Sequence, residues 1–259
     1  MDLNLTGKVV LVTGASGELG TACARLLAAE GARLALSARN ETKLNTLAAE
    51  IGGGAKTFPQ DLIEPDGADA VAAWAISEFG HLDVLVNAAG AAQGGIFWEI
   101  SDSQWEEGMG LKFFANMRMI RAVIPHMRER KYGRIVTIAG GGGVQPLPRA
   151  LVGGVSNAAL LTLTSGLSRE VISDGIYVNA VNPGPINTPR WNNRFDAQSA
   201  ETGRPAQEFK DKVVAQIPQG RMGEADEVAR AVAFLASDCA SNITGTSILC
   251  DGGEFPGLA

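Results

Sequence analysis

Two tyrosines, two histidines and three cysteines are all that 259 residues contain of those types, and each scarcity removes a class of chemistry. Cys23, Cys239 and Cys250 are scattered, with no CxxC or metal-ligand spacing, so they read as reduced small hydrophobes and no metal site is expected. No block rich in lysine or arginine occurs and the net charge is −6, which argues against a nucleic acid or an anionic membrane as partner. The N-terminal MDLNLTGKVV has no basic region followed by an apolar core, and no apolar run approaches membrane-spanning length. A cytoplasmic location and a small-molecule substrate are therefore expected. With no linker, internal repeat or low-complexity segment, residues 1–259 read as a single domain.

What the chain does have is a regular alternation of short apolar runs and amphipathic segments, beginning at residues 8–20, KVVLVTGASGELG. A four-residue apolar run leads into a glycine turn and then the helically spaced TACARLLAAEGA. Glycines at 14, 17 and 20 let the backbone turn tightly, and the free N–H groups of the following helix would face an anion such as a pyrophosphate. A plain turn would use the same glycines, so the rest of the chain has to decide. Strands are expected at 33–38, 55–59, 82–86, 134–138, 176–181 and 246–250, and helices at 41–51, 65–79, 102–130 with a break near 108–110, 151–173 and 224–237. Such alternation predicts a doubly wound α/β fold, a parallel sheet of seven strands with helices on both faces. The polar stretch 190–217 reads as a substrate lid.

At the end of the second strand stand Ser37, Ala38 and Arg39. An acid there usually holds the ribose hydroxyls of NAD, whereas a ribose 2′-phosphate needs a cation. The missing acid and Arg39 favour NADP(H) over NAD; a solvated arginine at a helix start is the plain alternative.

With these features in place the chain resembles, end to end, the standard-length short-chain dehydrogenase/reductases, a Rossmann-type family. Asp61-Leu62 matches the family's adenine contact, Asn87-Ala88-Ala89-Gly90 its NNAG-type motif, and residues 182–188, NPGPINT, the loop that holds the nicotinamide. Residues 220–236 (GRMGEADEVARAVAFLA), Ile243-Thr244-Gly245 and Asp251-Gly252-Gly253 match its C-terminal segment. The resemblance implies cofactor contacts at Gly14, Ser16, Gly17, Leu19, Gly20, Arg39, Asp61, Leu62, Asn87, Ala88, Gly90, Asn157, Pro183, Gly184, Ile186 and Thr188, and a homotetramer.

The departures are chemical. Glu18 takes the middle-glycine place of TGxxxGxG, giving TGxxGxxG, and is expected to point to solvent because a carboxylate beside a pyrophosphate is unfavourable. The family's catalytic asparagine, serine, tyrosine and lysine map onto Lys112, Gly140, Gly153 and Asn157. Tyr132 and Tyr177 both lie where strands begin, roughly 20 Å from the reacting face across a six-residue strand; His81 and His126 have no catalytic placement either. Lys112 is the ionisable side chain left at a mapped position: proton donor, oxyanion clamp or Schiff-base nucleophile if it points inward, a solvated helix lysine if it does not. Asn116 lies one turn further along that helix. Asn157 can hydrogen-bond but not transfer a proton at neutral pH. Gln93, Trp98, Gln145, Arg149, Trp191 and Asn192 are expected to rim the pocket. Three functions are compatible with this pattern: an NADP(H)-dependent oxidoreductase without the usual proton-transfer apparatus, a non-redox enzyme built on Lys112, and a catalytically silent dinucleotide-binding or scaffold protein.

Overall fold

Strands apolar at nearly every position must be buried on both faces. Such a strand, β1 (Val9–Thr13), lies fully buried in the interior of a parallel sheet in the computed structural model of the chain, which describes residues 2–91 and 94–255. The chain continues through α1 (Glu18–Ala29), β2 (Arg33–Ala38), α2 (Glu41–Ile51), β3 (Lys56–Pro59), α3 (Gly67–Phe79), β4 (Val84–Asn87), α4 (Asp102–Met109), α5 (Ala115–Arg130) and β5 (Gly133–Ile138). It ends with α6 (Leu151–Val171), β6 (Ile176–Pro183), α7 (Pro189–Thr202), α8 (Ala206–Ala215), α9 (Ala225–Ala236) and β7 (Ser247–Cys250). The strand order is β3-β2-β1-β4-β5-β6-β7, so the winding reverses between β1 and β4 and opens a crevice at their C-terminal ends.

Strand alternation divides the core in two. Val10, Val12, Leu34, Leu36 and Val136 pack against α1, α2 and α9, while Val9, Leu11, Leu85, Ile135 and Val178 pack against α3, α5 and α6. This is the doubly wound, Rossmann-type arrangement expected from the sequence. Boundaries move by a residue or two, chiefly where α3 starts at Gly67 and β6 runs on to Pro183. The expected break in the long helix is a π-turn, Gly110–Phe114, closed by the Ala115 N–H donating to the Gly110 carbonyl. Contrary to the sequence reading, one segment, Leu151–Asp174, is long and apolar enough to cross a membrane. It contains α6, whose Leu163, Leu167 and Val171 pack into the sheet core.

The N-terminal ends of the strands are closed by ion pairs. Buried Asp83 accepts from the Val9 N–H at 2.8 Å and pairs with Arg130 at 2.9 Å and His81 at 3.1 Å. Arg134, also buried, pairs with Asp238 at 3.1 Å and lies over the Tyr177 ring, 4.0 Å from its centroid. Tyr132 donates its hydroxyl to Asp238, and burial raises its pKa, the opposite of what a proton donor at neutral pH requires. His126 Nε2 accepts from the Leu82 N–H. Both tyrosines and both histidines therefore serve the end of the sheet away from the crevice.

The seat of α1 on β1 needs bare backbone at Gly20, where a Cβ would lie 2.3 Å from the Gly14 carbonyl oxygen; at Gly17 the nearest atom would be 3.4 Å away. Gly20→Ala is expected to destabilise the fold by about 1–3 kcal/mol, and Gly17→Ala by less than about 1 kcal/mol. Urea denaturation of the two variants measures the difference.

Candidate active site

The crevice is lined by the loops that leave β1, β2, β3, β4 and β6. Gly17 is the N-cap of α1 and no side chain caps that helix, which leaves its first N–H groups facing the crevice. Glu18 is exposed, and its charge acts on Arg25, which pairs with Glu50 at 2.8 Å. Ser16 and Leu19 are half-buried in the same turn. Arg39 and Asp61, from the loops after β2 and β3, approach to 3.8 Å; Asp61 also accepts from the Ile63 N–H, and Leu62 between them is buried. Ser37 Oγ is buried below Arg39 with no hydrogen-bond partner.

At the end of β4, Asn87 accepts from the Thr13 hydroxyl at 3.4 Å and donates to the Asn116 carbonyl, and the Ala88 N–H donates to the Thr13 carbonyl. These contacts tie the NAAG turn to β1 and α5. Pro183, Gly184, Ile186 and Thr188 climb away from β6, with buried Thr188 donating its hydroxyl to the Ile186 carbonyl at 3.3 Å.

Lys112 points inward. It belongs to the π-turn, and its side chain crosses Gly90, where a Cβ would lie 2.5 Å from Lys112 Cδ. Its ammonium donates to the carbonyls of Ile138 at 3.1 Å and Ala139 at 2.8 Å, at the C-terminal end of β5. No carboxylate among the described residues lies within 4 Å of it. Burial pushes its pKa down to about 8, and the positive charge of Arg190 adds to the depression. Asn116, one turn on, holds the π-turn by donating to the carbonyls of Ala89 at 3.1 Å and Lys112 at 2.6 Å.

Asn157 reaches the same place from α6. A Cβ on Gly140 would lie 2.8 Å from Asn157 Nδ2, and the Gly140 N–H donates to Asn182 Oδ1 at 3.3 Å. Lys112 and Asn157 thus meet at Ala139 and Gly140 from different helices. Around them Asn157 Oδ1, Asn182 Nδ2 and Asn116 Oδ1 are buried without partners. Each such group costs about 1–3 kcal/mol where nothing bonds to it. Among the described residues no group of three or more His, Cys, Asp or Glu side chains could hold a metal ion.

Of the expected rim residues, Trp98 is 82% exposed, and Gln145 and Asn192 are exposed. Arg149 adopts a left-handed φ of 61°, and its carbonyl accepts from the Gly95 N–H at 2.9 Å, pinning the loop after β4 to the start of α6. Trp191 packs on Phe195, ring centroids 5.6 Å apart, in a small core shared by α7 and α8. Gln93 lies outside the described residues.

Sequence reasoning overlooked the C-terminal tail. Phe255 is buried against Gly141, which has no room for a Cβ. Asp251 holds the turn by accepting from the Gly253 and Phe255 N–H groups, and Glu254 lies over Gly184 with its carboxyl pKa pushed up to about 7, first by burial and then by Asp251. Adjacency to the DGG motif was the available signal.

A doubly wound parallel sheet with a glycine-turned, uncapped helix at its switch point defines a Rossmann-type α/β protein. A family described as enoyl-(acyl carrier protein) reductase matches residues 14–254. The chain is 37% identical to nodulation protein G of Rhizobium sp. (strain N33), covering 96% of this chain and 97% of that one. It is 34% identical to the 3-oxoacyl-[acyl-carrier-protein] reductase FabG of Escherichia coli (strain K12), covering 98% and 99%. Among solved structures, L-sorbose reductase from Gluconobacter frateurii, complexed with NADPH and L-sorbose, superposes with a TM-score of 0.93 at 33% identity over the full length of both chains. An actinorhodin polyketide ketoreductase variant solved with NADPH gives 0.91 at 33% identity, covering 96% of this chain and 97% of that one. The chain belongs to the short-chain dehydrogenase/reductase family.

Gly140 has φ 152° and faces the Asn157 amide, so Gly140→Ser meets both backbone strain and a displaced side chain. The expected cost is about 1–3 kcal/mol. Because part of it comes from the amide, combining it with Asn157→Ala is expected to recover at least about 0.5 kcal/mol, read from a double-mutant cycle in urea.

Proposed function

We propose that this protein is an NADPH-dependent carbonyl reductase in which Lys112, rather than a tyrosine, gives the proton to the carbonyl oxygen. The observation that carries this reading is the Lys112 ammonium, directed onto the carbonyl end of β5 beside the crevice. The residues present fit the dinucleotide. The uncapped start of α1 offers Gly14, Ser16, Gly17, Leu19 and Gly20 to a pyrophosphate, and exposed Glu18 does not obstruct it. Arg39 would take the 2′-phosphate, Asp61 and Leu62 the adenine. Asn87, Ala88, Gly90, Asn157, Pro183, Gly184, Ile186 and Thr188 would hold the ribose and nicotinamide, with the orphaned Asn157 Oδ1 accepting from a hydroxyl or amide. That L-sorbose reductase and the actinorhodin ketoreductase were solved with NADPH supports the choice of dinucleotide. When bound, NADPH supplies a hydride to the carbonyl carbon of the substrate.

Two of the ammonium's three N–H groups are taken by Ile138 and Ala139, and the third is left for the substrate. A pKa of about 8 keeps the group mostly protonated at neutral pH yet a competent acid. Lys112 Nζ passes its proton to the developing alkoxide, the product leaves as an alcohol, and the amine regains a proton from water. Set against the family pattern, a lysine and an asparagine have exchanged helices: Asn157 stands on α6 where the family has lysine, and Lys112 where it has asparagine. The exchange keeps one ammonium and one amide at Ala139 and Gly140.

The same reading treats residues 1–259 as one domain, with 190–217 as the lid; α7 and α8 have their own core of Phe195, Ile217 and Met222. It also includes a homotetramer in the cytoplasm, with exposed Phe114 and Val155 offering apolar contact area. A second reading, non-redox chemistry with Lys112 as an amine nucleophile, is favoured by the same lowered pKa.

Lys112→Ala is expected to lower kcat for NADPH-dependent carbonyl reduction by about 10²–10⁴-fold. Since the acid form is required, kcat/KM should be flat below the Lys112 pKa of about 8 and fall above it, while the reverse oxidation should rise across the same range. Product formed without change in nicotinamide absorbance, and abolished in Lys112→Ala, would establish the second reading instead.

Titration followed by nicotinamide fluorescence is expected to give tighter binding of NADPH than of NADH. Arg39→Ala should reduce that preference by roughly tenfold or more, the scale of one charge-assisted contact to phosphate. Equal affinities in the parent protein would remove NADPH from the proposal.

A further inference from the structure

Lys112 and Asn157 approach the end of β5 from different helical segments and meet it at consecutive residues. The Lys112 ammonium donates to the Ala139 carbonyl at 2.8 Å, and Asn157 Nδ2 lies 2.8 Å from the point where a Gly140 Cβ would stand. The amide therefore fills the space that a side chain at position 140 would enter. Neither end of that amide is used by the fold. Oδ1 is buried without a partner, and among the described residues no group accepts from Nδ2. The neighbouring backbone donors are engaged elsewhere, the Ala139 N–H with the Val181 carbonyl at 2.9 Å and the Gly140 N–H with Asn182 Oδ1 at 3.3 Å. Beside the ammonium there is thus an N–H donor, carried by α6, with nothing in the fold to donate to.

A buried side-chain amide kept for stability is hydrogen-bonded within the fold. One left open next to a proton donor fits a role toward a bound molecule, and its chemistry says which: an N–H needs an acceptor, and a carbonyl oxygen becomes a stronger acceptor as it is reduced. Resting on the reductase reading, we propose that Asn157 is a second catalytic residue, whose Nδ2–H hydrogen-bonds the substrate's carbonyl oxygen while Lys112 gives that oxygen its proton. Hydride adds at the carbonyl carbon, the π electrons pass to oxygen, and Lys112 Nζ protonates it; the amide shares its hydrogen and transfers none. Its Oδ1 stays available to a hydroxyl or amide of the dinucleotide, so one side chain joins cofactor and substrate. A neutral donor of this kind bonds more strongly to the developing alkoxide than to the ketone, so it acts on the rate of the chemical step.

Single-turnover stopped-flow kinetics at saturating NADPH test this, because they separate the chemical step from cofactor binding. The carbonyl probes are methyl pyruvate, methyl acetoacetate and L-sorbose. Asn157→Ala should reduce whichever of them the parent reduces about 10²–10³-fold more slowly. Its thermal midpoint should be unchanged or higher, because an amide without partners costs stability. In the Asn157→Ala background, Gly140→Ser should restore about tenfold or more of the rate by placing a hydroxyl in the vacated space, and Gly140→Ala, equally strained but with no donor, should restore nothing. Infrared difference spectra of methyl pyruvate labelled with ¹³C at the keto carbon, on the NADP⁺-saturated protein, read the same contact without turnover: the keto stretch should lie lower in the parent than in Asn157→Ala. A loss confined to NADPH affinity would assign the amide to the cofactor and overturn the proposal. Equal rescue by serine and alanine, a keto stretch identical in parent and variant, or a lowered thermal midpoint with the rate falling only as the folded fraction falls would also overturn it. No NADPH oxidation by the parent with any of the probes would remove the reductase reading and this role with it, whereas parent turnover that Asn157→Ala leaves undiminished would remove the role alone.

Discussion

A lysine ammonium brought to the end of a buried strand must find acceptors there or give up its charge, and the carbonyls of Ile138 and Ala139 provide them. The surrounding structure is arranged around that requirement. Gly90 leaves room for the aliphatic stem, the π-turn aims Lys112 inward, and Asn116 braces the turn through its amide nitrogen, which donates to carbonyls on two segments. Charge-assisted hydrogen bonds of this kind contribute about 1.5–3 kcal/mol each, enough to offset much of the cost of burial. What remains lowers the pKa to about 8.

The two ends of the sheet treat polar groups differently. At the N-terminal ends Asp83, Arg130, Arg134, Asp238, Tyr132 and His126 bond to one another or to backbone. At the C-terminal ends Asn116, Asn157 and Asn182 keep buried atoms without partners among the described residues. The first arrangement contributes stability, whereas unpartnered buried atoms cost it. α7 and α8 share a small core that is separate from the two large ones.

The glycines at 140–143 meet different neighbours. Gly141 is filled by the Phe255 ring and Gly143 lies against the backbone of α6, so both are packing positions. Gly140 faces the Asn157 amide, and there the missing side chain bears on the site itself.

Much of the fold was legible in the sequence, because strand and helix periodicity and the glycine turn at 14–20 are local. β2 and α2 fall where the apolar spacing puts them, and strands apolar on both sides can pack only in a sheet covered on both faces. The sequence by itself determined the fold class, the order of the elements and the absence of tyrosine from the mapped site. It could not tell whether Lys112 points inward, since a π-turn adds a residue and rotates the remainder of the helix by about 100°. Nor could it bring Lys112 onto the end of β5, or Phe255 onto Gly141, because segments far apart in the chain become neighbours only through the strand order. Those placements belong to the tertiary structure: the parallel sheet collects the ends of β4, β5 and β6 in one crevice, and only there do Lys112 and Asn157, from two different helical segments, come together at Ala139 and Gly140.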